Sequence, residues 1–198
     1  MTTSNTSATT NPVTEGTSAD VRLRVATVVD ATVLANLLEL YVHELSDVFP
    51  GLHIGADGRF GYPKLPSFFE AEGRFPFLIE REGRLAGFAL VTRGSPISDD
   101  PAVFDVAEFF VLRGERSAGV GRRAAELLWR RFPGPWTVRV AEANRGGVAF
   151  WSAAVLGFAD GASVEVRRAG DHRGMSWRIF TFRSAARDIP EGESQKFD

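Results

Sequence analysis

The stretch Arg116-Ser117-Ala118-Gly119-Val120-Gly121-Arg122 lies between an apolar run, Phe109 to Leu112, and a helical pattern. Small residues let a backbone approach a ligand closely. The first N–H groups of a helix have no partner within it, and the helix dipole adds positive character there. Arginines raise it further. Arg113, Arg116, Arg122, Arg123, Arg130, Arg131 and Arg139 face only Glu115 and Glu126 in the same span, a surplus of five charges in a chain of net charge −2. A local excess of this kind is what a small polyanion needs. The chemistry the loop suits is a pyrophosphate cradle.

Which pyrophosphate ligand it suits can be narrowed. A nucleoside-triphosphate loop needs Gly-Lys followed by Ser or Thr, and this segment has no lysine. Gly119-Val120-Gly121-Arg122-Arg123-Ala124 does match the Gly-x-Gly-x-x-Ala dinucleotide pattern, with Glu142 downstream at a strand end. In that fold, however, the glycines follow the strand at once, whereas six residues, Arg113 to Ala118, intervene here. Only 56 residues follow Glu142, too few for the second half of a doubly wound sheet.

Composition closes other routes. The chain has 198 residues and no cysteine, which excludes disulfides, thiolate metal sites and a cysteine nucleophile. Its three histidines, His43, His53 and His172, are far apart, so no metal site is expected. The acidic balance argues against general nucleic-acid binding. No apolar run approaches a membrane span, and a cytoplasmic location is expected. Residues 1–20, rich in Thr and Ser, read as a disordered tail, and 185–198 as a flexible C-terminal tail. One domain is expected between them, over 21–184.

The elements that must position the loop follow from periodicity. Val21 to Ala26 alternates as a strand. Val33, Leu34, Leu37, Leu38, Tyr41 and Leu45 recur as one helical face after Asp30. Phe49 to Pro63 is a loop, and Leu65 to Ala71 a short helix. Phe75 to Arg81 and Arg84 to Thr92 form a hairpin around Glu82-Gly83. Ala102 to Leu112 is a strand, Ala118 to Phe132 a helix, Trp136 to Val140 a strand and Val148 to Val155 a helix. Ser163 to Arg167 and Ser176 to Phe182 are closing strands around a turn at 170–174. The order predicts a mixed α/β sheet with a central antiparallel run.

On these residues the chain resembles the GCN5-related N-acetyltransferase (GNAT) family. Arg116-x-x-Gly119-x-Gly121 is similar to its motif A. Asn144, Ala149-Phe150-Trp151 and Leu156-Gly157-Phe158 are similar to its following segment. The element order agrees from Val21 to Phe182. The resemblance implies a mostly antiparallel sheet with a V-shaped splay, helices on both faces, and acetyl-CoA as cosubstrate. Phe110, Val111 and Leu112 would pair with the pantetheine arm. The backbone of Arg116, Ser117, Ala118, Gly119, Val120, Gly121 and Arg122 would hold the phosphates. Asn144 would touch the arm, and Phe150 and Trp151 would pack near the thiol.

The activity implied is direct acetyl transfer to the amine of a small molecule or peptide. An ammonium has no lone pair, so a base or a water relay must take its proton. Glu108 is the candidate, with Asp105 and Glu44 behind it. Alternation puts Glu108 on the face of Phe110 and Leu112, and burial would raise its pKa. A strand N–H, of Phe110 or Val111, would hold the oxyanion. Where many relatives carry a tyrosine acid, this chain has Trp151, so Tyr41 or water would serve, or no acid is needed because a thiolate is a tolerable leaving group. The acceptor would lie near Tyr41, His43, Glu44, His53, Phe60, Tyr62, Phe68 and Phe69. An acyl-CoA sensor of the same fold is the alternative, and a homodimer stays open.

Overall fold

The computed structural model describes residues 20–159, 164–171 and 174–185. The two predicted tails, apart from Asp20 and Ala185, lie outside these residues, as do Ser163 and His172. Among the described residues, seven strands form one sheet in the order β1-β2-β3-β4-β5-β7-β6. They are β1 (Val21–Val25), β2 (Arg74–Arg81), β3 (Arg84–Arg93), β4 (Phe104–Val111), β5 (Gly134–Ala141), β6 (Glu165–Gly170) and β7 (Ser176–Ser184). Only β4 and β5 run parallel; every other pair is antiparallel.

Helices α1 (Ala31–Leu45) and α2 (Ser67–Glu70) cover one face. Helices α3 (Val120–Arg131) and α4 (Arg145–Phe158) cover the other. The central strands are therefore buried on both faces, and Ala86 to Val91 reads as a near-continuous small and apolar run rather than an alternation. Within it, Phe88 and Leu90 join the cluster under α1, while Ala89 and Val91 join the cluster under α3 and α4.

Helix α1 buries Leu34, Leu37, Leu38 and Val42, the spacing of one helical face. Its approach is pinned by Asp30, which accepts from Arg24 Nη1 and Nη2 at 3.0 Å each and from the Thr27 N–H at 3.0 Å. Those hydrogen bonds, Arg24 first, hold the Asp30 carboxyl down at about 2. Helix α4 is longer at both ends than its apolar periodicity predicts. Its start is set by Asn144, whose Oδ1 accepts the Gly147 N–H at 2.9 Å.

Candidate active site

Strand β4 has two halves. Phe104, Asp105 and Val106 pair with β5 at Trp136, Thr137 and Val138. Beyond Val106 the strands part, although β4 continues to Val111 and β5 to Ala141. Among the described residues, no strand pairs with the Ala107–Val111 half on that side. The Leu112 N–H donates to the Ala86 carbonyl at 2.8 Å, so alternation turns the polar groups of Phe110 toward β3 and those of Val111 toward the open side. The Val111 carbonyl there accepts Arg116 Nε at 2.8 Å. Of the two N–H groups expected to hold an oxyanion, that of Val111 faces the gap.

On the α3 and α4 face of this half, Phe109 stacks on Phe150 at 5.8 Å and meets Trp151 edge-on at 5.1 Å. Trp151 is buried and packs also near Trp129. It is a core residue. Phe150 lies against Gly121, where a Cβ would sit 3.1 Å from its ring. A side chain at the second motif glycine would press on the Phe150 ring, which would have to give by a few tenths of an ångström.

The loop from β4 to α3 carries two left-handed residues, Ser117 at φ 68° and Gly119 at φ 75°. Serine tolerates that region poorly, and glycine without strain. The first helical bond of α3 runs from the Arg123 N–H to the Gly119 carbonyl at 3.0 Å. The N–H groups of Val120, Gly121 and Arg122 precede it and are left for an anion. Arginine charge around them is shared out. Arg122, Arg123 and Arg130 lean on Glu126, and Arg113 and Arg116 on Glu44 of α1. Arg116 also lies 5.6 Å over the Phe110 ring. The linear count of charges could not include Glu44, which arrives from another part of the chain.

Glu108 lies in the open half, facing α1. Tyr41 donates its hydroxyl hydrogen to Glu108 Oε2 at 2.6 Å, and Tyr62 to Oε1 at 2.8 Å. These are the only two tyrosines in the chain. Burial pushes the Glu108 carboxyl above its usual range, against the pull of the two phenols and of the more distant Arg139 and Lys64. Burial, and then the Glu108 charge, raise both phenols as well. A phenol so raised keeps its proton, which makes Tyr41 a hydrogen-bond donor and a poor acid.

Asp105 is three residues away on the same strand and faces the same way, because a bulge at Ala107 inserts one residue opposite Leu90 and Val91. Asp105 is fully buried. It accepts Arg139 Nε at 3.1 Å and Nη2 at 3.0 Å, and the Ser95 hydroxyl at 2.6 Å. Its oxygens are committed to these partners, whereas Glu44 is held by Arg116 at 2.7 Å and faces Arg113 at 3.6 Å.

The remaining acceptor-side residues separate. Phe68 is buried in the core and Phe69 half-buried beside it. His43 and His53 are exposed, with His43 6.1 Å from Phe60. Sequence reasoning missed Glu39, which accepts the Phe60 N–H at 2.7 Å and the Gly61 N–H at 3.0 Å and so ties the loop to α1. Burial opposes its charge, but those N–H groups and Arg59 outweigh it and hold its carboxyl low. No local pattern signals that contact. Tyr62 stood among the acceptor-side residues, and its bond to Glu108 spans 46 positions.

The open β4 edge, the outward N–H groups of α3 and the arginines around them fit a long ligand with an amide arm and a pyrophosphate. Similar folds are found among solved structures. YncA from Salmonella typhimurium, solved with its cofactor acetyl-CoA, is 14% identical, with a TM-score of 0.57 over 88% of this chain and 99% of that one. The ribosomal-protein-S18-alanine N-acetyltransferase of Escherichia coli is 14% identical, with a TM-score of 0.54 over 89% and 99%. AAC(6')-Ib in complex with ribostamycin and coenzyme A is 14% identical, with a TM-score of 0.56 over 81% and 92%. No curated protein sequence matches the chain significantly. The model of the Acetyltransferase (GNAT) family matches residues 37–158, well over half of the chain, and the protein belongs to that family.

Proposed function

We propose that the protein transfers the acetyl group of acetyl-CoA directly to a primary amine, with Glu108 as the base. The observation that carries this reading is the position of Glu108: a carboxylate beside the open half of β4, held by two neutral phenols and raised by burial. A carboxylate locked to a cation would be a poor base, and a raised one approaches the operating pH. Acetyl-CoA, as the second substrate, supplies a thioester carbonyl. The amine attacks it, the C–N bond forms, the C–S bond breaks and the thiol leaves.

The chain's own residues divide the work. Glu108 takes the proton that the acceptor ammonium must lose. Tyr41 orients Glu108. The Val111 N–H is the donor for the developing oxyanion. Phosphates would be held by the N–H groups from Arg116 to Arg122, with Phe110, Leu112, Asn144 and Phe150 shaping the groove. Water protonates the departing thiolate. A small-molecule or peptide amine is the acceptor class. The buried Trp151, which offers no titratable proton, is what favours the second reading, an acyl-CoA sensor without efficient turnover.

Acetyl-CoA should raise Tm, and NAD should not; the reverse overturns the reading. Gly119→Asp should abolish the shift, because it sets a carboxylate beside the pyrophosphate and a side chain at a left-handed φ. Thiol release across a panel of primary amines separates the two readings: turnover with any of them supports the transferase, and binding with none supports the sensor.

A further inference from the structure

We infer that Asp105 is a positioning residue for the base: by holding and neutralising the Arg139 guanidinium, it keeps that cation from pairing with Glu108. This deepens the proposed function and rests on the assignment of Glu108 as the base.

Arg139 stands between two carboxylates. Val138 is the last residue of β5 in register with β4, opposite Val106. Arg139 follows it, so its backbone lies level with the bulge at Ala107, between Asp105 and Glu108. All three side chains point to the α1 face: the two carboxylates because of the bulge, and Arg139 because it bonds Asp105. Paired strands are about 4.8 Å apart, and β4 and β5 have only begun to part at this level. An arginine side chain spans that distance toward either carboxylate.

The structure gives Arg139 to Asp105. Nε and Nη2 both donate to it, at 3.1 and 3.0 Å, in the fork that suits guanidinium and carboxylate. The Ser95 hydroxyl, from the connection between β3 and β4, donates to Asp105 Oδ2 at 2.6 Å and fixes the carboxylate from the other side. Had the fork closed on Glu108 instead, that carboxylate would be an ion pair, and an opposite charge so close lowers a carboxylate's pKa.

The other groups around Glu108 leave this role to Asp105. Tyr41 and Tyr62 are neutral donors. Glu44, one turn beyond Tyr41 on α1, is held by Arg116. Arg74, whose charge reaches Tyr62, lies 5.4 Å over the Phe68 ring. Arg139 and Lys64 are the cations felt at Glu108, and burial outweighs both. Of these two, among the described residues, only Arg139 is matched by a carboxylate.

The test is the titration midpoint of Glu108, read by NMR on the side-chain carboxyl carbon of 13C-glutamate-labelled protein. Asp105→Asn keeps an oxygen for Arg139 but removes the negative charge. The Glu108 midpoint should fall by about one pH unit, the low end for an opposite charge within about 4–6 Å. Arg139→Gln leaves Asp105 uncompensated on the same face and should raise the midpoint. The two shifts should cancel in the double variant. A purely structural Asp105 would lower stability and leave the midpoint in place. An unchanged or raised midpoint in folded Asp105→Asn overturns the inference. If that variant does not fold, an unchanged or lowered midpoint in Arg139→Gln overturns it. With an amine that turns over, the acid limb of the pH–rate profile should move down with the midpoint in Asp105→Asn. If no amine turns over, the proposed function fails, and the midpoints still decide the role of Asp105.

Discussion

The two halves of β4 carry two carboxylates three residues apart and treat them in opposite ways. Asp105 lies where β4 is paired on both sides, fully buried against a bidentate arginine and a serine hydroxyl. Glu108 lies where one side is open, and its two hydrogen bonds come from neutral phenols. The first arrangement satisfies a buried charge and fixes strand to strand. The second leaves a carboxylate whose charge is tolerated rather than neutralised. Burial alone does not make a carboxylate reactive; the choice of partner does. The bulge at Ala107 is what brings both onto one face.

This contrast can be broken by substitution. The largest effect is expected from Glu108→Gln, which should lower the turnover of acetyl transfer by about 10²-fold or more. It should not lower Tm at neutral pH. A carboxyl raised in the folded state contributes stability below its unfolded pKa, and loses that contribution as pH rises through the folded pKa. The uncharged amide escapes the loss. A clear fall in Tm would make Glu108 a structural residue like Asp105.

Asp105→Ala should do the converse. It strands Arg139, whose side chain is 24% exposed, and should cost about 3 kcal/mol in urea unfolding, the low end for a broken buried pair. A loss below about 1 kcal/mol would put Asp105 with surface pairs. Gly87→Ala probes the frame between the halves. A Cβ at Gly87 would collide with the Phe110 carbonyl oxygen, forcing β3 from the open half of β4. A cost of about 1–3 kcal/mol is expected, measured by the same unfolding. A neutral result would mean that the open half is already loose.

The comparison also marks what could be read from the chain itself. The strand, loop and helix start around Gly119 were legible because these parts are contiguous, all within Phe109 to Arg131. The face of Glu108 was legible from alternation with Phe110. The position of Asp105 was not, because strict alternation puts it on the opposite face and nothing local marks the bulge at Ala107. Tyr41 was singled out because Trp151 stands where relatives carry a tyrosine acid, and its bond to Glu108 joins positions 67 apart. Asn144 carried a readable signal of another kind, since asparagine before a helix is a capping residue. Its side-chain oxygen is committed to that task.

The central claim is that Glu108 is a raised, uncompensated carboxyl. The direct measurement is its own titration, followed by NMR on the side-chain carboxyl carbon of 13C-glutamate-labelled protein, with the signal assigned by Glu108→Gln. The midpoint is predicted above the ordinary glutamate value, while that of Glu39 falls below it. A Glu108 midpoint at or below the ordinary value would contradict the account.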